Sequence, residues 1–233
     1  SVIACRYTLW ERNSQAKPTP PSPAIAFLAR PAHCRKVMAK IVYFDLETQK
    51  VASEVGGWAH IDKMGLAVAV LYHTDRDEYA VYLEKDADKL IQDLRRADLV
   101  VGFNVLRFDY TVLSAYSVFD FSTVPTLDLM VSLEEKIGHR VGLDAVADAT
   151  CGVKKTSSGM EAIQWWREGQ RAKVAEYCCY DVKATRMVHE HGVRHGRVAY
   201  VSHKTMLKQF VKVDWANIGP VQHLLAAPLA AAA

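Results

Sequence analysis

Hydrophobic positions between residues 41 and 130 form short runs bounded by turn residues, a pattern that predicts a β-sheet. Five strands are predicted, at 41–44, 66–73, 78–83, 99–103 and 125–130. The first three follow one another through turns, so we expect them to pair antiparallel. The later strands alternate with helices and are expected to run parallel to the first.

Apolar residues spaced three or four apart predict the helices, and the chain therefore reads as α/β with helices on both faces of a five-stranded mixed sheet. Helices are predicted from Asp86, at 107–116, 141–150 and 160–168, and at 170–191 with Gly192 as the terminator. Asp86 and Asn104 are the expected N-caps of the first two helices. One more short strand is expected at 198–201.

Composition divides the chain into three parts. Residues 1–38 hold five of the eight prolines and show no period, so we expect a disordered N-terminal extension. Because that segment has several arginines and one acid, a transit peptide is an alternative, and Met38 is a possible natural start. A single domain is expected over 39–215, followed by a flexible tail rich in Ala and Pro over 216–233.

Charge is distributed unevenly along the chain, although the formal net charge is only +3. Residues 39–150 contain 11 basic and 19 acidic residues, whereas residues 151–212 contain 12 basic and 5 acidic residues. An acidic half followed by a basic half suits a metal site beside an anion-binding surface, and an uneven solvated surface is the alternative. The five cysteines include no CxxC pair, which favours a reducing compartment, and we expect a cytoplasmic protein without a membrane span.

Two carboxylates, Asp45 and Glu47, follow the first buried strand. Residues two apart on a strand share one face, so their charges lie side by side. Such a pair is repulsive unless a cation lies between the two groups, and a divalent ion with oxygen ligands is the usual solution. The alternative is a solvated strand end.

Two later segments add further candidates. Asp109 lies early in the helix after the fourth strand, at the sheet edge where α/β proteins build their sites, or it merely complements a helix N-terminus. Tyr177 and Asp181 are four residues apart on the long helix and so share a face. Aspartate is a poor helix former, which indicates another role for Asp181.

The order Asp-x-Glu, then Asn-x3-Phe-Asp, then Tyr-x3-Asp resembles the DEDD superfamily of 3′→5′ exonucleases, which have a ribonuclease-H-like fold. The spacing of the last motif matches its tyrosine branch; Glu176 stands where the histidine branch has histidine. Residues 142–147, 152–155 and 161–169 also resemble the YprB-type ribonuclease-H-like domain, which occurs beside helicases. The similarity covers about residues 40–203.

This resemblance implies a two-metal phosphodiester hydrolase that binds two Mg²⁺ or Mn²⁺ ions and acts on nucleic acid, with a single-stranded end as the expected substrate. It implies Asp45, Glu47, Asp109 and Asp181 as metal ligands and Tyr177 as the residue that orients the attacking water. Candidate contacts to substrate are Thr48, Asn104, Lys154 and Lys155. The extra acids Asp128 and Asp144 rank below these four ligands.

Three other readings stay open. The first is a nucleic-acid-binding module that has lost catalysis and serves a helicase, and the intact acids argue against it. The second is an endonuclease or structure-specific nuclease using the same site. The third is a zinc site at His189, His191 and His195, which the lack of a cysteine partner disfavours. The pattern does not distinguish DNA from RNA.

Overall fold

A mixed sheet forms the centre of the protein in the computed structural model, which describes residues 3–4, 39–154, 158–202 and 204–221. Its strands are β1 (Ile3–Ala4), β2 (Ile41–Thr48), β3 (Leu66–His73), β4 (Glu78–Leu83), β5 (Leu99–Gly102) and β6 (Thr126–Asp128). Their order across the sheet is β1-β4-β3-β2-β5-β6. Strands β2, β3 and β4 are antiparallel, and β5 and β6 run parallel to β2. The five predicted strands and their directions are thus confirmed.

Two features of the sheet differ from the prediction. The two-residue strand β1 pairs with the outer edge of β4, within the segment expected to lack regular structure. Strand β2 runs on to Thr48, four residues past the predicted end, because β3 continues to pair with it. Asp45 and Glu47 therefore lie inside a central strand and not after it.

Helices cover both faces of the sheet. They are α1 (Ala87–Arg95), α2 (Asp109–Leu113), α3 (Leu129–Ile137), α4 (Leu143–Cys151), α5 (Gly159–Arg167) and α6 (Arg171–His195). Alternate residues of β2 point to opposite sides: Tyr43 packs in a cluster with α4 and α6, whereas Phe44 packs in a second cluster with α1 and α2. Odd-numbered residues of β2, Asp45 and Glu47 among them, therefore face the α6 layer.

Helix α3 has no counterpart among the predicted elements, because the pattern at 125–130 predicts a single strand. The strand ends at Asp128, whose carboxylate accepts hydrogen bonds from the amides of Met130 and Val131 and so caps α3. The signal was present, since Gly138 follows with φ of 77°, the left-handed conformation that commonly ends a helix.

Gly192 is the predicted end of helix α6, but the helix continues to His195 and ends at Gly196, whose φ is 64°. Gly192 has a packing role instead. A Cβ atom there would lie 2.2 Å from a ring carbon of Trp215, a side chain that is fully buried. Glycine is required because the indole packs directly on the helix backbone.

The short strand predicted at 198–201 is one half of a hairpin. In this hairpin, β7 (Arg197–Val201) pairs antiparallel with β8 (Lys208–Lys212). The second half was not predicted. Packing continues past residue 215, since Val221 is fully buried, and residues 222–233 lie outside the described part of the chain. Most of the segment expected to be an extension, residues 5–38, also lies outside it. Among the described residues, no helix is both long and apolar enough to cross a bilayer.

Candidate active site

Three carboxylates converge on the face of the sheet that α6 covers. Asp45 and Glu47 extend from the central strand β2, and Asp181 extends from α6. One ligand atom from each of the three lies within 4.8 Å of the other two. Asp181 is buried, and the other two acids are partly exposed, so the group opens to solvent on one side.

Tyr177 lies one turn before Asp181 on α6 and is also buried, with 7% of its surface exposed. Its ring meets that of Trp165 edge to face, with centroids 6.1 Å apart and planes at 72°. A Cβ atom on Gly159, the first residue of α5, would lie 4.0 Å from the tyrosine hydroxyl. Helix α5 therefore approaches the polar end of this side chain.

The thiol of Cys178 forms hydrogen bonds to Asp45, and the sequence did not reveal this contact. Its thiol is fully buried and donates to the carbonyl oxygen of Asp45 at 3.3 Å and to Oδ2 of the same residue at 3.4 Å. Burial raises the pKa of this thiol well above its usual value, and the charges of Asp45 and Glu47 add to the effect. The thiol stays protonated and so remains a hydrogen-bond donor.

Asp109 lies beside the three acids and is bonded to the strand that carries two of them. The pairing of β2 with β5 ends at Phe44 and Gly102, and the amide of Leu46 then donates to Oδ1 of Asp109 at 3.0 Å. The carboxylate thus replaces a strand carbonyl. Burial, and next the negative charge of Asp45, raises the pKa of Asp109 well above its usual value.

Asp128 has a structural role, in keeping with its low rank among the candidate ligands. Besides capping α3, its carboxylate accepts hydrogen bonds from the amides of Asn104 at 2.8 Å and Leu106 at 3.0 Å. It therefore joins the turn after β5 to the start of α3. Asp144, the other extra acid, is exposed in the first turn of α4.

The predicted substrate contacts differ in how they are placed. The hydroxyl of Thr48 is turned inward and donates to the carbonyl of Lys50. Asn104 does not cap α2, which starts five residues later; its φ is 70°, and its side-chain oxygen accepts from Arg140 at 3.0 Å. Lys154 is exposed after α4, and Lys155 lies outside the described residues.

A cleft of about 470 Å³ lies between the loop after β2 and helix α5. Val51 and Glu54 line one wall, and Met160 and Ile163 line the other. An ion pair of 2.6 Å between Arg167 and Glu54 joins the two walls. Val51 follows Glu47 by four residues, so this cleft begins close to the acids.

Two tryptophans of α5 and the three candidate histidines are engaged in packing. Trp165 and Trp166 are partly buried, each with a cation over its ring, Lys173 at 4.4 Å and Arg171 at 4.9 Å. The three histidines do not form one cluster. His189 is buried against Tyr43, whereas the rings of His191 and His195 contact each other in a tilted arrangement, with centroids 4.4 Å apart and planes at 46°.

The donor set fits a hard divalent cation. All the candidate ligands are carboxylates, and oxygen ligands suit Mg²⁺ or Mn²⁺, whereas zinc sites mostly use nitrogen and sulfur. Asp109 is not one of the three converging acids, but it lies next to them. The negative charge of Asp45 contributes to its raised pKa. A cation at this point would relieve the repulsion among these carboxylates.

Comparison with known proteins gives a family match. The model of the RNase_H superfamily (RNase_H_2) matches residues 42–193, about two thirds of the chain. A family B DNA polymerase from the hyperthermophilic archaeon Pyrobaculum calidifontis is similar in structure over 67% of this chain, with 16% sequence identity and a TM-score of 0.49. This chain spans 26% of that polymerase. No curated protein matches the sequence.

Proposed function

Because the chain belongs to the RNase_H superfamily, we propose that it is a metal-dependent 3′→5′ exonuclease of the DEDD superfamily, tyrosine branch, with a YprB-type domain. Its reaction is hydrolysis of phosphodiester bonds in DNA or RNA. Membership of the superfamily supports nuclease activity and the use of divalent metal ions. The direction of cleavage and the two-metal mechanism belong to the proposal.

The observation that carries the proposal is the convergence of Asp45, Glu47 and Asp181. Two of these acids come from a central strand, and the third comes from a helix more than 130 residues later in the chain. A shared carboxylate cluster of this kind is costly for the fold, because like charges repel. Its position beside a buried tyrosine favours a catalytic site over a chance surface cluster.

In this proposal, Asp45, Glu47 and Asp181 would hold one Mg²⁺ or Mn²⁺ ion, and Asp45 and Asp109 would hold a second. When bound, such ions supply a hydroxide near neutral pH and stabilise the charge on the departing 3′ oxygen. The Leu46 amide donates to Oδ1 of Asp109, which holds this carboxylate beside Asp45. The Cys178 thiol fixes the orientation of the Asp45 carboxylate.

Tyr177 is proposed to orient the attacking water. Its hydroxyl belongs to a side chain held rigidly by burial and by the edge of Trp165, one helical turn from Asp181. A hydroxyl fixed in this way can accept or donate a hydrogen bond without loss of side-chain entropy at the moment of reaction. This is the role that the tyrosine branch assigns to the position.

The terminal nucleotide is proposed to enter through the cleft beside Val51 and Met160. Met160 is 66% exposed there, and Val51 and Ile163 add apolar surface that would receive a base. Of the substrate contacts implied by sequence, Asn104 and Lys154 remain candidates. Thr48 would contribute through its backbone, because its hydroxyl is engaged by Lys50.

The alternative is a nucleic-acid-binding module without catalysis that serves a helicase. No observation supports a helicase partner, and the complete set of acids favours catalysis. An endonuclease with the same site differs only in how the strand is presented, so its distinction from an exonuclease comes from product analysis.

The experiment is a cleavage assay on end-labelled single- and double-stranded DNA and RNA with Mg²⁺, Mn²⁺ or EDTA. With a 5′ label, a 3′→5′ exonuclease gives a ladder that shortens with time, and a 3′-terminal phosphate slows it. Asp45→Asn should abolish hydrolysis, whereas Asp144→Asn, the same change at an exposed acid of α4, should leave it intact.

The outcomes separate the readings. Internal fragments from a 3′-blocked strand would indicate an endonuclease. Binding of nucleic acid without hydrolysis under any metal condition would contradict the exonuclease and favour the non-catalytic module. Equal activity of Asp45→Asn and the unmodified protein would remove the acid cluster from the mechanism.

A further inference from the structure

The hairpin of β7 and β8 has an exposed face that the proposed active site does not use. Directly opposed residues of an antiparallel pair share a face, and here the outward pairs are Arg197 with Lys212 and Val201 with Lys208. Phe210 lies between them on β8 and is 62% exposed. We call these five residues the hairpin face.

The opposite side of the hairpin is buried, so the orientation of the hairpin face is fixed. Val198 and Val211 pack in the core cluster that also contains α4 and α6. The outer edge of β7 is covered as well, because the hydroxyl of Thr150 both donates to the carbonyl of Ala199 and accepts from its amide. The hairpin is therefore a rigid platform for the residues it exposes.

The charged residues around the hairpin face are all basic. Between Glu190 and Asp214 the sequence contains five lysines and arginines and no acidic residue. Two of these cations lie close to the exposed ring of Phe210: the guanidinium carbon of Arg197 is 5.1 Å from the ring centre, and Nζ of Lys208 is 5.6 Å from it. An aromatic surface and cations are thus combined within one small area.

We propose that the hairpin face binds a single-stranded segment of nucleic acid, with a base stacked on Phe210 and phosphates contacted by Arg197, Lys208 and Lys212. Aromatic platforms beside cations are the usual means of binding single strands without sequence preference. A duplex would offer phosphates but no exposed base face, and an acidic peptide would leave the aromatic ring unused. The combination therefore favours a single strand.

We place the hairpin face outside the acid cluster, as a second contact on the same strand. Fourteen residues of α6 separate Asp181 from His195, where the hairpin begins, which is about 21 Å of helix. At about 3.4 Å per nucleotide, the spacing of a base-stacked strand, this length of helix corresponds to about six nucleotides, and an extended strand would span it with fewer. The inference rests on the proposed function for the identity of the ligand. It adds a binding position for the part of the strand that lies outside the active site.

The first test measures binding without cleavage, by fluorescence anisotropy of a labelled single strand of about 15 nucleotides in EDTA. Phe210→Ala should weaken binding about 5- to 150-fold, the usual effect of losing one stacked base. Lys208→Gln with Lys212→Gln should weaken binding and lower the slope of log affinity against log salt by about 1.4, since each phosphate contact on a single strand contributes about 0.7.

The matched control carries the same charge change on the opposite face of the sheet. Lys85→Gln with Arg96→Gln alters two exposed cations at the ends of α1 and should leave affinity and salt slope within about twofold of the unmodified protein. Because Phe210 is mostly exposed, its replacement should leave the melting temperature unchanged, which thermal unfolding verifies. Equal losses in the control, or no loss in the hairpin variants, would overturn the proposal.

The second test separates this inference from the proposed function. With Mn²⁺, the hairpin variants should raise KM for a strand of about 15 nucleotides but not for one of about 3, which is too short to reach from the acids to the hairpin. Binding through the hairpin without any hydrolysis would refute the exonuclease and leave the binding site standing. Hydrolysis with KM unchanged for both lengths would refute the hairpin site and leave the exonuclease.

Discussion

Tyr177 allows the role of a hydroxyl to be separated from the role of a ring. Replacement by Phe keeps the ring, its burial and its contact with Trp165, and removes only the hydroxyl. If that hydroxyl orients the attacking water, the rate should fall about 10²- to 10⁴-fold, which is about 2.7–5.4 kcal/mol of activation free energy. The free energy of unfolding should change by about 1 kcal/mol or less, the usual contribution of one hydrogen bond.

Replacement of Tyr177 by Ala gives the contrasting result. Removing a buried aromatic side chain costs about 3–5 kcal/mol through lost burial and the cavity it leaves. The edge-to-face pair with Trp165 adds about 0.5–1.5 kcal/mol. A domain of this size loses about 2–4 °C in melting temperature per kcal/mol, so Ala should lower it by about 7–26 °C.

The measurements are single-turnover cleavage and thermal unfolding of both variants, with and without Mn²⁺. Mn²⁺ should stabilise the Phe variant as much as the unmodified protein, because tyrosine is not among the proposed ligands. Full activity of the Phe variant would show that Tyr177 only packs, and it would remove the reason for assigning the chain to the tyrosine branch.

Three further predictions concern other parts of the molecule. Asp181→Asn should reduce the stabilisation by Mn²⁺, by up to about 2.7 kcal/mol for one site at 100 times its dissociation constant; unchanged stabilisation would contradict the proposed ligand set. Gly192→Ala should destabilise the protein by about 1–3 kcal/mol, because its Cβ would overlap Trp215, and a stabilisation in urea unfolding, as helix propensity alone predicts, would refute the packing argument. Burial lowers the pKa of His189 to about 3, so below pH 6.5 the unfolded state binds a proton that the folded state does not, and stability is lost as the pH falls. Between pH 8 and pH 5 this residue should lower the free energy of unfolding by about 2 kcal/mol. Urea unfolding at both pH values measures this loss, and an equal loss in His189→Gln would show that other groups cause it.

The strands and the acid positions could be predicted because their signals are local. Residues 66–71 are apolar throughout, as a strand buried on both faces requires, and the structure buries every residue of 66–73. Asp45 and Glu47 share a face through the period of two of any strand, whatever surrounds them. Their closeness to Asp181 was inferred from the order of motifs, since no local pattern reports a contact over more than 130 residues.

The features that the sequence did not reveal depend on contacts between distant segments. Gly192 resembles a helix terminator until Trp215 is seen against it, and Leu46 offers no sign that its amide is satisfied by a side chain. The thiol of Cys178 bonds to Asp45 because α6 packs on β2, a contact between segments more than 130 residues apart. Asp128 could have been recognised as a cap from the helical spacing of Leu129 and Leu133 after it.

The bond from the amide of Leu46 to Asp109 also makes the backbone a reporter of the site. An amide proton that points at a carboxylate oxygen has a chemical environment unlike that of its neighbours in β2, whose partners are carbonyls. Any ion that draws charge from Asp109 changes the field at that proton, although it touches neither atom of the amide. A single backbone resonance in an isotope-labelled sample would thus register the arrival of a cation at the carboxylates, with no substrate, label or mutation introduced.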